Sequence, residues 1–189
     1  MTIIRDFIGH SDSPELPLNL DGTALPLQFP NMVNLTNHAV SMDGLPSLDY
    51  AMYLTNTVKF HIGQTYHLFE ETTFMDRMFA LYNVGPSALT QNTRMWYIQY
   101  LLIMAFGKAL LIRRVPGEVP AGYEYFYQAL DLFPDANGLY SDPVTTVEVC
   151  CAIALYLQAV DHRNSAYVCV RNSLRTFLKR RVYAILMYE

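Results

Sequence analysis

Cysteine is scarce in this chain of 189 residues, which holds three: Cys150, Cys151 and Cys169. No two of them stand in a C-x-x-C spacing, which excludes the usual zinc-finger, zinc-ribbon and dithiol redox motifs. Cys150 and Cys151 are neighbours, so on a helix their side chains point about 100° apart. They read as small packing side chains in the core of a helix pair. An odd number of cysteines also points to a reducing compartment. Charge is scarce too, with 16% charged residues against 52% hydrophobic. Such a chain can bury one sizeable core and has apolar surface left over for a partner.

The catalytic signatures are missing as well. There is no G-x-S-x-G elbow, no G-x-x-x-x-G-K-[ST] phosphate loop, no G-x-G-x-x-G fingerprint and no H-E-x-x-H zinc helix. The acids are scattered, so there is no aspartate-rich run to hold Mg²⁺ and a diphosphate. His61 and His67, with Glu70, Glu71 and Asp76, form the only cluster of ligand types. Their six-residue histidine spacing fits neither one helical face nor a zinc pattern. Tyr123, Tyr125, Phe126 and Tyr127 make an aromatic stripe that reads as core. The chain is expected to be no enzyme, with no catalytic, cofactor-binding, metal-binding or DNA-binding residue of its own.

No secretory leader is expected, because Arg5 and Asp6 fall where a signal peptide needs its apolar centre. Asn34-Leu35-Thr36 matches a glycosylation sequon, but a reducing compartment argues against its use. The longest apolar run, Met95 to Ile112, is interrupted by Gln99 and Lys108. A span needs about 20 apolar residues, and an inner lysine costs on the order of 3 kcal/mol. The run is therefore expected to be a buried central helix. Lys108 should pack its stem near the helix end and reach water or a carboxylate with its amine.

What the chain does have is uneven. Residues 162–189 carry Arg163, Arg171, Arg175, Lys179, Arg180 and Arg181 against Glu189, a local +5 that leaves −9 on the rest of a chain with net charge −4. This tail reads as a solvated helix face; Lys179-Arg180-Arg181 would suit a nuclear-import patch but is too short to assign as one, and no aromatic-interleaved basic stripe suggests DNA binding. Residues 1–46 hold five of the ten prolines, Pro14, Pro17, Pro26, Pro30 and Pro46. They read as an extended Pro/Asn/Gly-rich arm or linker, apolar enough (Leu16, Leu18, Leu20, Leu25, Leu27, Phe29) to lie along the body. From residue 47 to 189 the pattern is helical, with helices expected at 48–62, 69–82, 93–114, 121–132, 143–160 and 165–186. The fold expected is all-α, a multi-helix array of antiparallel helix pairs with an extended N-terminal arm.

The clearest local signal runs from Ser141 to Leu174. Asp142-Pro143 is a helix start, with a capping carboxylate followed by a proline at the first helical position. The helix after it, from Val147 through Leu157, has no polar stripe and should be enclosed. Asp161-His162-Arg163-Asn164-Ser165 then turns the chain, with Asn164 or Ser165 available to cap the next helix.

This pair resembles the middle homology region, the fungal-specific transcription factor domain that follows a binuclear zinc cluster. The resemblance rests on Ser141, Val147-Glu148, Arg163 and Ala166-Tyr167. Upstream it takes in Leu48-Asp49-Tyr50-Ala51-Met52-Tyr53-Leu54, Phe60-His61-Ile62 and Phe69 to Tyr82, so that it covers about residues 48–174. Beyond Leu174 the sequence departs from the family pattern.

The resemblance implies a regulatory-domain fragment that modulates DNA-templated transcription in the nucleus through protein contacts or signal sensing. It implies protein partners or self-association, often as a dimer, room for a small-molecule effector, and no membrane. Zinc and DNA would be held by a cluster domain outside this chain. With the family's further helices missing, Tyr167, Val168 and Val170 should be left partly uncovered. The alternative is a stand-alone helical protein-interaction module without a DNA-binding partner domain.

Overall fold

The computed structural model describes residues 44–90, 93–112, 119–134 and 142–171. Six α-helices, one short 3₁₀ helix (Gly85–Ala88) and no strands occur among them. The α-helices are α1 (Leu48–His61), α2 (Glu71–Val84), α3 (Arg94–Leu111), α4 (Tyr123–Asp131), α5 (Pro143–Ala159) and α6, described over 163–171. The fold is all-α, as expected. Most of the arm, residues 1–43, and the C-terminal segment 172–189 lie outside the described residues.

The molecule is organised around α3, on which α1, α4 and α5 all pack. Every residue from Met95 to Gly107 is buried, because neighbours cover the helix on all sides. This is the buried central helix that the run Met95 to Ile112 suggested. Lys108 sits in its last turn with its amine 2.6 Å from Glu124 Oε1 and 4.9 Å from the centre of the Tyr125 ring. Its stem is packed and its charge is paired with a carboxylate, as expected.

Two glycines let neighbouring helices close on α3. A Cβ on Gly107 would lie 2.7 Å from Leu54 Cβ of α1, closer than packed carbons approach. Gly122, the N-cap of α4, has φ +83, and a Cβ there would lie 2.8 Å from the Ala105 carbonyl oxygen. The left-handed backbone and the close approach both favour glycine.

The helix ends are explained by capping. Ser47 accepts a hydrogen bond from Tyr50 N–H at the start of α1. Glu70 accepts from Thr72 and Thr73 N–H at 3.1 and 2.7 Å, so α2 begins after it and runs to Val84, two residues downstream of the expected 69–82 at each end. Asp142 accepts from Thr145 N–H and Thr145 Oγ1, and Pro143 takes the first helical position of α5.

The turn after α5 corrects the sequence reading. Asp161 adopts φ 65, Asp161 N–H donates to the Gln158 carbonyl and His162 N–H donates to that of Leu157. These two bonds are the Schellman ending, made here with aspartate in the left-handed position usually taken by glycine. The turn consumes fewer residues than expected, and α6 begins at 163 instead of 165. Ala166 N–H donates to the His162 carbonyl, so His162, not Asn164 or Ser165, is the capping residue.

Aromatic side chains fill the space between helices. Phe74, Trp96 and Tyr100 form one cluster, and Phe126 stacks on Tyr156 with ring centres 4.0 Å apart, with Phe106 edge-on to it. Tyr125 and Phe126 are buried and Tyr123 packs against the core, so these three of the four stripe aromatics on α4 face the core, while Tyr127 is exposed. The end of the arm is tied to the body by two phenols. Tyr82 donates to the Pro46 carbonyl at 2.6 Å, and Tyr125 donates to that of Gly44 at 3.1 Å.

Candidate functional site

The connection between α1 and α2, residues 62–70, leaves an open cleft of about 310 Å³ lined by Val58, Lys59, Gly63, Tyr66, His67, Leu68 and Phe69, with Glu70 and Glu71 at its edge. Ile62 and Leu68 anchor this connection in the core, while His67 stays largely exposed. Lys59 of α1 pairs with Glu71 of α2 across the cleft. Both partners are about half exposed, so the pair adds little stability and serves to place charge of both signs at the rim.

A polar link runs behind the cleft. The Gln99 side chain, 3% exposed in the middle of α3, donates from Nε2 to the Leu68 carbonyl at 2.7 Å and to Glu148 Oε2 at 2.8 Å. Glu148 Oε1 lies 3.7 Å from His67 Nε2. One amide thus ties the α1–α2 connection to α5 through the central helix. Burial raises the Glu148 pKa above its usual value, against the opposing effects of the Gln99 hydrogen bond and of His67. Glu70 goes the other way. It is held at about 2 by the Thr73 side chain and by the N–H groups of Thr73 and Thr72.

His67 and Glu148 form an imidazole–carboxylate couple, but the residues lining the cleft include no serine, threonine or cysteine for it to activate. Of the histidine–acid cluster, His67, Glu70 and Glu71 border this cleft, while His61 and Asp76 do not. His61 packs edge-on to Phe60 at 5.0 Å, and Asp76 is exposed on α2. Among the described residues no three His, Cys, Asp or Glu side chains are grouped to hold a metal ion. No described helix is long and apolar enough to cross a membrane.

The link makes a testable pair of substitutions. Gln99→Leu removes the donor to a buried carbonyl and to a half-buried carboxylate, and should destabilise the chain by on the order of 2 kcal/mol in urea titration. Glu148→Gln keeps an oxygen for Gln99 and removes the charge. Because folding raises the Glu148 pKa, its contribution is fully present below the unfolded value and is lost as pH rises through the folded value. The stability of Glu148→Gln relative to the parent should therefore increase from acid to neutral pH. Glu70 has the opposite sign: its contribution is present above the unfolded pKa and is lost as pH falls toward about 2.

A second surface lies on α6. Tyr167 is 67% exposed and Val168 51%, with Val170 more covered at 37%. The expectation that these three side chains are left partly uncovered matches their placement. On the inner side, Cys150 is buried, and Cys151 and Cys169 are half-buried, all three as free thiols. Sequence reasoning missed the link through Gln99, although an amide alone in the middle of an apolar run is the sign of a buried hydrogen-bonded group.

No family model matches the chain, and neither a curated protein nor a solved structure matches it.

Proposed function

We propose that the chain is a fragment of the regulatory domain of a fungal zinc-cluster transcription factor, acting in the nucleus and modulating DNA-templated transcription through protein contacts. The observation that supports this reading is the outward face of α6. Tyr167 and Val168 stand exposed on the helix that follows the enclosed apolar helix α5, in the segment that carries the family resemblance. Contiguous exposed apolar patches mark protein-interaction sites, and Tyr167 and Val168 would form part of one. Partners are proteins, or a second copy of the chain. Zinc and DNA contacts belong to a cluster domain outside these residues. The cleft of about 310 Å³ beside His67 is where a small effector would sit, at the lower end of ligand-pocket volumes.

The test is a transcription reporter. The chain is fused to an unrelated DNA-binding domain in a fungal cell, and reporter output is compared with that of the DNA-binding domain alone and of the fusion carrying Tyr167→Lys and Val168→Lys. The proposal expects output to change with the fusion and to return to the control level with the double substitution. A normally expressed fusion that leaves the reporter unchanged rejects the transcriptional role. In that case the stand-alone helical interaction module is the better account of the same exposed surface.

A further inference from the structure

The three thiols lie on the two helices that flank the Schellman turn, and two of them meet. Cys169 Sγ of α6 donates to the Cys150 carbonyl of α5 at 3.4 Å, across a sequence separation of 19. The two thiols influence each other's titration across this contact, in opposite directions. Cys150 and Cys169 sit at almost equal distances along the chain from Val160 at the end of α5, so folding the pair of helices about that turn brings them level. Cys151 points away from Cys150 by about a quarter-turn of helix, and a bond between neighbouring cysteines would break the helical backbone.

We infer that Cys150 and Cys169 are a redox pair that closes into a disulfide between α5 and α6 on exposure to a hydroperoxide. Cys169 is the attacking thiol, being half-buried and therefore reachable by a small oxidant, while Cys150 is buried. The neighbouring Cys150 thiol lowers the Cys169 pKa, which favours its thiolate, while Cys169 and burial push the Cys150 thiol up, so that it keeps its proton. The thiolate is the nucleophile in such chemistry.

The Cys169 sulfur attacks the terminal oxygen of the hydroperoxide. The O–O bond breaks, the other oxygen leaves as an alcohol or water after taking up a proton, and Cys169 becomes a sulfenic acid. The Cys150 sulfur then attacks the Cys169 sulfur. The S–S bond forms, the S–OH bond breaks, and the hydroxyl leaves as water with the Cys150 proton. Two thiols are oxidised by two electrons, and one peroxide is reduced. A thiol reductant reverses the bond, which is how disulfides behave in a reducing compartment when they serve as sensors. The closed form pins α6 to α5 independently of the functional reading above, and with it fixes the presentation of Tyr167 and Val168.

The experiment treats the reduced full chain, at low concentration, with stoichiometric hydrogen peroxide and follows it by intact mass and peptide mapping under non-reducing conditions. The expected result is loss of two hydrogens per chain and a Cys150–Cys169 cross-linked peptide, with Cys151 still open to alkylation. Dithiothreitol should restore both thiols. Cys151→Ser should behave as the parent, while Cys169→Ser and Cys150→Ala should each abolish the cross-link. The oxidised chain should melt about 5 °C or more above the reduced one, because closing the loop constrains the unfolded state. Three free thiols after oxidation, a bond through Cys151 or between chains, or Cys169 sulfinic acid without a cross-link would each overturn the inference.

Discussion

Ile153→Asp is expected to abolish cooperative folding, or to lower stability by roughly 3–5 kcal/mol, because it places an unpaired carboxylate inside the α3–α5 contact. Ile153 is 3% exposed and Ala152 is fully buried. One turn away, Tyr156 is stacked on Phe126 and edge-on to Phe106, so an ionised group at position 153 faces a surface of rings and aliphatic side chains. Ala152→Arg should cost as much by a different route, since the guanidinium adds volume as well as charge to a packed interface. The measurement is the urea midpoint followed by helical circular dichroism. Val144→Asp supplies the internal control: it lies on the same helix but is 66% exposed, in the first turn, where a negative charge suits the helix dipole. Its midpoint should stay within about 0.5 kcal/mol of the parent. If Ile153→Asp behaved like Val144→Asp, α5 would not be an enclosed helix.

That contrast between two positions of one helix shows what could be read in advance. The Asp142-Pro143 start, the enclosure of α5 and the centrality of α3 were legible because each depends on residues close together in the chain. A cap needs three residues, and an apolar surround needs four or five turns. Lys108 was legible for the same reason, since its place at the end of an apolar run leaves few routes for its amine.

The ends that moved depend on exceptions. Glutamate is a less usual N-cap than aspartate or serine, yet Glu70 fills that role, and α2 starts later than its apolar pattern suggests. Asp161 takes a left-handed backbone without being glycine, so the Schellman ending carries no punctuation in the sequence and α6 starts early. Asp161 is 6% exposed and its carboxylate accepts from the Arg163 guanidinium at 3.2 Å, which helps hold the strained residue in place.

The polar link was illegible for a different reason. Leu68, Gln99 and Glu148 lie on three separate segments, 31 and 49 residues apart, and no local pattern records that they meet. The same holds for Tyr82 and Tyr125, whose hydroxyls tie down the end of the arm from 36 and 81 residues away. The thiol pair stands between these cases. Its residues stand in plain view as packing side chains; what the sequence lacks is the rotation of α6 that turns Cys169 toward Cys150 and not toward Cys151.

Gly107→Val carries the second large expected effect, a loss of roughly 3–5 kcal/mol through overpacking of the α1–α3 crossing. Intrinsic helix propensity points the other way, since replacing a mid-helix glycine by alanine gains about 1 kcal/mol where space allows. Space does not allow it here. An added Cβ would lie 2.7 Å from Leu54 Cβ and 3.0 Å from the Leu54 carbonyl oxygen, and neither atom can move by rotating a side chain. Leu54 and Gly107 are both fully buried on helices packed face to face, so relief requires the helices to separate and the contacts on either side to loosen. Gly107→Ala should therefore destabilise despite its better propensity, and Gly107→Val should do so more severely. A double-mutant cycle isolates the cause: Leu54→Gly removes the Cβ that collides, so Gly107→Ala in that background should cost less than in the parent. Equal costs in the two backgrounds, or a net gain from Gly107→Ala alone, would place the crossing elsewhere on α1 and move the helix that carries Lys59 and one wall of the cleft.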